Sequence, residues 1–326
     1  MAIELPGMVS FLLSMTTLAL IYALLALGLN VHYGYTGLLN FGHVAFFAAG
    51  AYTAAIVTIP PPGTVSGGAD YAIGLGVPMP FGVVISLGAS ALVGGILALL
   101  IGLTSVRLGN DYLAIATFAL AGIFEEFIRN EAWLTRGVTG LNNVPKPGRS
   151  ALGADLWGLV YMLFVAAIVV GTYFTIERLL NSPFGRLLKG IREDEQAARM
   201  LGKSTPQIKL KSFAIGGGIA GIAGAVYAHY IGSVVAGQFI PLVTFLVWVA
   251  VLLGGLASNR GVILGAFVLV AFREVTRFLP EIEGFPTLVP SLRFAIIGLL
   301  LVLVIRFKPE GLLGNPDELV TTEDDT

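Results

Sequence analysis

The sequence predicts an all-α integral membrane protein, a polytopic transmembrane helical bundle of about eight to ten spans with short cytoplasmic helices. Hydrophobic residues make up 56% of the chain and charged residues only 12%, and the mean hydropathy is +0.86. A soluble domain carries about twice that charged fraction. Uncharged apolar runs recur, several of them about 18 residues or longer, which is enough to cross a hydrocarbon core of ~30 Å.

Nine segments are long and apolar enough to be candidate spans. Each is expected to be a helix, because backbone polar groups in lipid must be paired within the segment. The glycine- and aromatic-rich stretch Val31–Phe47 is a candidate for a broken or re-entrant segment. The predicted spans are Met8–Val31, Phe41–Ile59, Phe81–Thr104, Tyr112–Ile128, Trp157–Ile176, Phe213–Val235, Leu242–Leu256, Val262–Phe278 and Leu292–Ile305.

Composition also limits the possible functions. The net charge is −1, so nothing points to a nucleic-acid partner. The chain has no cysteine and three histidines, so neither a disulfide nor a metal site is expected. No catalytic motif or cofactor-binding motif is found, and the chain is therefore not expected to be an enzyme.

Glycines in the segment Ala214–Ala225 are spaced for close helix packing. Gly217 and Gly221 stand four residues apart, and Gly224 follows. Such spacing lets helix backbones approach closely, which holds helices together in lipid. Tight packing within the subunit is the favoured interpretation, and a dedicated dimer face is the alternative.

A polar insert at about residues 178–211 holds eight of the 19 Lys and Arg residues. Basic loops face the cytoplasm. With this insert inside and nine spans, twelve basic residues lie inside and four outside, which places the N-terminus outside and the C-terminus in the cytoplasm. The four outside basic residues all lie in the loop Arg129–Ser150, and basic residues in an outside loop argue against this assignment. The acidic tail at about 314–326 is expected to be disordered. The whole chain, 1–326, is expected to be a single transmembrane domain.

Within the insert, Ser182 and Pro183 are expected to open a helix. A short amphipathic helix is predicted over roughly Arg192–Leu201, with Gly202 as its C-terminal cap. Three acidic residues enrich its first turn, where the helix dipole favours anions, and three apolar residues share one face. The acidic residues are Glu193, Asp194 and Glu195, and the apolar ones are Ile191, Ala198 and Leu201. The alternative is a solvated loop held by anionic lipid headgroups.

The triplet Gly202-Lys203-Ser204 superficially matches the end of a phosphate-binding loop. The opening glycine of that motif would fall at Ala197, and no strand precedes it, so the match fails. Any ATP-derived energy must therefore come from another polypeptide.

Four stretches together resemble the permease subunits of branched-chain amino-acid ABC transporters, of the LivM type. The resemblance implies a LivH-like permease partner, two cytoplasmic ABC ATPases and an extracytoplasmic solute-binding protein in a prokaryotic inner membrane. It implies leucine, isoleucine or valine as solute, while urea, short amides and other amino acids stay open. A stand-alone secondary transporter or channel is disfavoured, since the middles of the spans are nearly free of charge. The four stretches are Phe41–Ala55, Asn110–Leu141, Ser182–Gly202, and Lys209–Gly232 with Leu252–Ala266.

The resemblance also implies an ATPase-coupling segment. ABC permeases carry a cytoplasmic EAAxxxG motif; here Ala197, Ala198 and Gly202 fit, while Gln196 replaces the glutamate and Glu195 precedes it. The outer loop departs too, with Arg136 where relatives commonly have glycine. The expected coupling residues are Glu193, Asp194, Glu195, Gln196, Ala197, Ala198 and Gly202.

Polar and aromatic residues in apolar context are the candidates for the translocation path. They are Asn40, Phe41, Gly42, His43, Phe46 and Thr117. For His43, a hydrogen-bonded packing role is the alternative. Two charged groups at span ends, Glu125–Glu126 with Arg129, and Arg273–Glu274 with Arg277, are expected to be interfacial ion pairs, with attraction of a substrate amine as the alternative.

Overall fold

The computed structural model describes residues 7–61, 74–105, 108–276, 288–308 and 310–314. Helices dominate this part of the chain, with one two-stranded antiparallel pair and two short 3-10 turns, Gly137–Thr139 and Ala236–Gln238. The elements are α1 Gly7–His32, α2 His43–Thr58, α3 Phe81–Ser105, α4 Asn110–Asn130, α5 Ala132–Thr135, β1 Leu141–Asn142, α6 Arg149–Leu152, α7 Ala154–Leu180, α8 Pro183–Glu193, α9 Glu195–Met200, α10 Thr205–Ile231, β2 Ser233–Val234, α11 Pro241–Gly254, α12 Asn259–Val275 and α13 Leu288–Phe307.

Each of the nine predicted spans overlaps one helix. These helices are α1 to α4, α7, and α10 to α13. In the described part, five helices are long and apolar enough to cross a membrane, and α2 is a shorter apolar helix. The chain is therefore an all-α, multi-pass membrane protein, as predicted. From residue 315 onward, the predicted acidic tail lies outside the residues that the structure describes.

The bundle has two distinct ends. We call the end that carries α8, α9 and the start of α10 the basic end. We call the opposite end, where α10 finishes and β1 pairs with β2, the far end. Leu141 of β1 stands opposite Val234 of β2, which ties the loop after α4 to the segment after α10.

Helices α2 and α10 form the centre of the bundle, with α1 and α3 packed against them. Nearly every residue of α2 is buried. By contrast, α3, α4 and α7 expose apolar side chains such as Leu92, Phe118 and Phe174. An apolar exterior around a packed, glycine-rich interior is what lipid solvation requires.

Glycines of α10 allow the backbones of α2, α3 and α10 to approach one another closely. A methyl group on Gly221 would overlap the carbonyl oxygen of Ser90 in α3, and one on Gly50 of α2 would overlap the backbone of Gly221. A methyl group on Gly224 would overlap the carbonyl oxygen of Phe47. The glycine-spaced face thus packs within the subunit, as the favoured interpretation of the sequence had it.

The predicted broken stretch is a buried loop, Tyr33–Gly42, between α1 and α2. Its backbone is paired by specific contacts: Gly42 N–H donates to Asn40 Oδ1 at 2.8 Å, and Thr36 Oγ1 donates to the Val31 carbonyl at 2.9 Å. Non-helical backbone is stable at such depth only where protein groups satisfy it.

Replacing Gly221 with alanine should destabilise the bundle by about 1–3 kcal/mol, because the added methyl group has no room against α3. Thermal unfolding in detergent measures this loss. Gly171→Ala on the exposed face of α7 is the matched control, since a methyl group there meets nothing within 4 Å. Equal melting temperatures for the two variants would contradict this packing.

Candidate functional site

The polar insert forms two short helices at the basic end, and the break between them falls inside the predicted helix Arg192–Leu201. The first, α8, begins as expected: Ser182 is its N-cap, its Oγ accepting from Phe184 N–H at 3.2 Å, and Pro183 occupies the first turn. Its buried face consists of Gly185, Leu188 and Ile191, spaced three residues apart. Helix α8 therefore lies against the bundle along one side.

Asp194 separates the two helices, which corrects the predicted single helix over Arg192–Leu201. Its backbone is extended, with φ −149° and ψ 101°, and its carboxylate accepts from Ala197 N–H at 2.9 Å. An aspartate that caps in this way starts a new helix. Consequently Glu193 ends α8, and Glu195 stands in the first turn of α9.

Gly202 ends α9 as predicted. Its φ is +74°, and its N–H donates to the Arg199 carbonyl at 2.9 Å. The left-handed conformation after the last helical turn is one that glycine adopts without strain.

The apolar tip of α9, formed by Met200 and Leu201, points into solvent. Met200 is 89% exposed and Leu201 78% exposed, whereas Ile191, which the sequence placed on the same helix face as Leu201, is buried in α8. Gln196 and Ala197 are exposed as well, while Ala198 is half-buried. The break at Asp194 changes the phase of the helix and turns this tip outward.

Glu195 is the centre of a compact ion cluster that ties α9 to α10. Lys209 Nζ donates to Glu195 Oε2 at 2.6 Å, and Arg199 Nη2 donates to Oε1 at 2.6 Å. Thr205 Oγ1 donates to Oε1 at 2.9 Å. The Lys209 side chain is only 8% exposed, so its ammonium group is desolvated and depends on this carboxylate.

The same contacts set the ionisation of Glu195. Partial burial alone would raise its pKa, but the hydrogen bonds from Lys209, Arg199 and Thr205 outweigh burial and lower the pKa to about 2. A lowered carboxyl pKa means that the cluster stabilises the fold above about pH 4.5, the usual value, and is lost as the pH falls toward 2.

Helix α8 reaches the buried loop Tyr33–Gly42 directly. Arg192 Nη1 donates to the Gly34 carbonyl, and the Arg192 side chain lies over Gly37. On the other side of this loop, Thr36 Oγ1 lies 2.7 Å from Ser212 Oγ of α10. The loop is thus held by both α8 and α10.

The path candidates from the sequence lie together where this loop ends. Phe41 N–H donates to Thr117 Oγ1 of α4 at 3.0 Å, and Asn40 Nδ2 lies 3.0 Å from His32 Nδ1. Gly42 packs against the Thr117 backbone. The structure therefore joins α1, α2 and α4 through residues that the sequence singled out.

The two remaining path candidates, His43 and Phe46, lie on α2. His43 Nε2 lies 3.0 Å from the Leu25 carbonyl oxygen, while its buried Nδ1 has no hydrogen-bond partner among the described residues. The His43 ring meets that of His32 edge-on at 5.3 Å. The described residues hold no group of three or more His, Asp or Glu placed to bind a metal ion.

Phe41 is the partly exposed member of the six path candidates; the other five are buried. Its ring stacks on Trp248 at 5.0 Å and lies 5.3 Å from Phe245 of α11. Phe118 of α4 lies 6.4 Å from Phe245, and both are exposed. An aromatic surface between α4 and α11 therefore extends from the buried path candidates to the exterior of the bundle.

Sequence reasoning missed Lys209 and Thr205 as partners of Glu195. Their spacing carried a signal, because residues four apart share one helix face and both stand in the first turns of α10. The direction of α9 relative to α10, which brings Glu195 onto that face, depends on the turn at Gly202.

Comparison with known proteins gives one family. The family model described as "Branched-chain amino acid transport system / permease component" matches residues 11–305. The permease protein LivM of Escherichia coli (strain K12) is 33% identical over 96% of this chain and 72% of its own length. LivM of Methanocaldococcus jannaschii is 27% identical, covering 93% and 92%. LivH of E. coli is 24% identical, covering 92% and 94%. No solved structure matches the chain.

Acid should release α9 from α10. A spin label at Leu201→Cys, the sole cysteine in the chain, should be ordered at pH 7 and become mobile as the pH falls from about 4.5 toward 2. Glu195→Gln should give the mobile spectrum already at pH 7. Glu193→Gln, an exposed carboxylate two residues earlier, is the control. An immobile label in Glu195→Gln would refute the role of the cluster.

Proposed function

Since the chain belongs to the family of permease components of branched-chain amino acid transport systems, we propose that it is one permease domain of an ABC importer for leucine, isoleucine and valine. In this proposal it contributes the membrane path, and its family is one of transport permeases, which is not an enzyme class. LivM and LivH proteins both match along most of the chain, which supports a LivH-like permease as its partner in the membrane.

Two ATPases and an extracytoplasmic solute-binding protein complete this proposed assembly. The Gly202-Lys203-Ser204 triplet lies at the end of α9, in a context unlike that of a phosphate-binding loop. The energy is therefore assigned to separate ATPase subunits on the cytoplasmic side. The basic end faces the cytoplasm of a prokaryotic cell in this assignment, with the N-terminus outside.

The observation that carries the proposal is the shape of α9. Its exposed tip, Met200 and Leu201, with the exposed Ala197 beside it, is an apolar surface small enough to enter a groove. Its base is fixed by the ion cluster around Glu195. We therefore assign the tip as the surface that docks on an ATPase subunit and the base as the joint that passes its motion on.

Two sets of contacts connect helices α8 and α9 to the proposed translocation path. Through Lys209, a displacement of α9 is transmitted to α10, the central helix. Through Arg192, a displacement of α8 is transmitted to the loop Tyr33–Gly42, whose Phe41 N–H donates to Thr117 of α4. Packed elements move as rigid bodies, so both routes require only small shifts. The residues Asn40 to His43, Phe46 and Thr117 are proposed to gate the path.

Leu201→Glu should abolish stable binding of the ATPase subunits, because a carboxylate replaces the apolar tip of α9. Co-purification of the complex and solute-stimulated ATP hydrolysis in proteoliposomes measure this. Ala151→Trp, an exposed position at the far end, should leave ATPase binding unchanged.

Two results would overturn the proposal. Undiminished ATPase binding by Leu201→Glu would remove α9 as the docking surface. Full uptake of radiolabelled leucine by the chain without an ATPase would exclude an ABC importer, and ATP-driven uptake of urea in place of leucine would change the solute assigned.

A further inference from the structure

Two neighbouring cavities lie toward the far end of the bundle, between α1, α10, α11 and α12. Their volumes are about 260 Å³ and about 520 Å³, and both are lined by Tyr22, Tyr227 and Arg273. They lie at the opposite end from the coupling helices, since Tyr227 stands in the last turns of α10 and Arg273 in the last turn of α12. They are also separate from the group around Asn40.

One side of these cavities is charged. Arg273 Nη1 donates to the Tyr22 hydroxyl at 2.8 Å, and its guanidinium carbon lies 5.5 Å from the centre of the Tyr22 ring. Arg273 Nε lies 3.9 Å from Glu274 Oε1. Glu274 is nearly buried and lines the larger cavity.

The sequence predicted an interfacial ion pair here, and Arg273 does pair with Glu274 at the end of α12; Arg277, the third residue of that group, lies outside the described residues. An interfacial arginine extends toward the headgroups. Arg273 instead reaches Tyr22, which lies in the middle of α1 and is almost fully buried. The Arg273 side chain is 35% exposed, so most of it is held within the bundle, where a charge is costly and marks a functional site by default.

The other side of the cavities is aliphatic. Val243 and Leu246 of α11 and Ile297 of α13 line the smaller cavity, and Leu18 of α1 lines the larger one, which also holds Glu274. Gln238 adds one polar group at the far end. A guanidinium and a carboxylate thus stand next to a wall of branched hydrocarbon, and these three features match the three parts of an aliphatic α-amino acid.

We propose that these cavities form a binding site for an aliphatic L-α-amino acid. Arg273 binds the carboxylate, Glu274 and the Tyr22 hydroxyl face the ammonium group, and the aliphatic wall receives the side chain. Guanidinium–carboxylate pairing gives both energy and orientation. This inference rests on the proposed function and adds to it a site where the transported solute pauses after entering from the far end.

The test is saturation-transfer NMR on the full chain in lipid nanodiscs, a method suited to weak sites. The ligands are L-leucine, L-leucinamide, which lacks the carboxylate, and 4-methylpentanoate, which lacks the amine. Wild type should show saturable leucine binding, stronger by about tenfold to a hundredfold than binding of either analogue, as expected for hydrogen bonds to charged groups.

Arg273→Gln should weaken leucine binding and abolish its advantage over leucinamide, a change that a merely structural role would not produce. Leu246→Trp, which fills the aliphatic side, should weaken both ligands equally. Arg129→Gln, which removes a guanidinium from the exposed pair with Glu125, is the control and should match wild type.

Absence of saturable leucine binding to wild type, or an unchanged leucine-to-leucinamide ratio in Arg273→Gln, would overturn the site. ATP-driven leucine uptake measured in parallel separates the two ideas. If uptake by wild type is intact while either of these negative results holds, the proposed function stands and this site does not.

Discussion

The ion pair between Glu195 and Lys209 is the contact on which the rest of this structure depends. Lys209 is buried at the start of the central helix, where an unpaired ammonium group would be expensive. Its partner lies on a separate short helix, so satisfying the charge fixes where that helix stands. The apolar tip of α9 is held outward for the same reason, because its base cannot turn without breaking the pair.

Helix α10 extends this constraint through the bundle. Its glycines bring α2 and α3 to backbone distance, leaving no slack between them. Close-packed interfaces shift as units and do not deform continuously. The loop Tyr33–Gly42 adds a second connection, since Arg192 and Ser212 hold it from two sides. In the proposed importer, a displacement at the basic end would pass through these contacts to Phe41 and Thr117.

The spans could be predicted from the sequence because a single segment in lipid can pair its own backbone polar groups only as a helix. The start of α8 could also be read, since Ser182 and Pro183 carry local capping chemistry. The break at Asp194 could not, because the same acidic run also suits the first turn of a continuous helix. For the same reason the sequence placed Ile191 and Leu201 on one helix face, although Ile191 belongs to α8 and Leu201 follows α9. The partner of Lys209 depends on tertiary geometry, which no local pattern encodes.

The most direct test is the number of leucine molecules imported per ATP hydrolysed by the reconstituted complex. Lys209→Met removes the ion pair between α9 and α10, whereas Arg199→Met removes a cation and its hydrogen bond to Thr205 but keeps the Glu195–Lys209 pair. The account predicts that Lys209→Met hydrolyses ATP while importing several-fold less leucine per ATP, and that Arg199→Met stays near wild type. An unchanged ratio in Lys209→Met would contradict it.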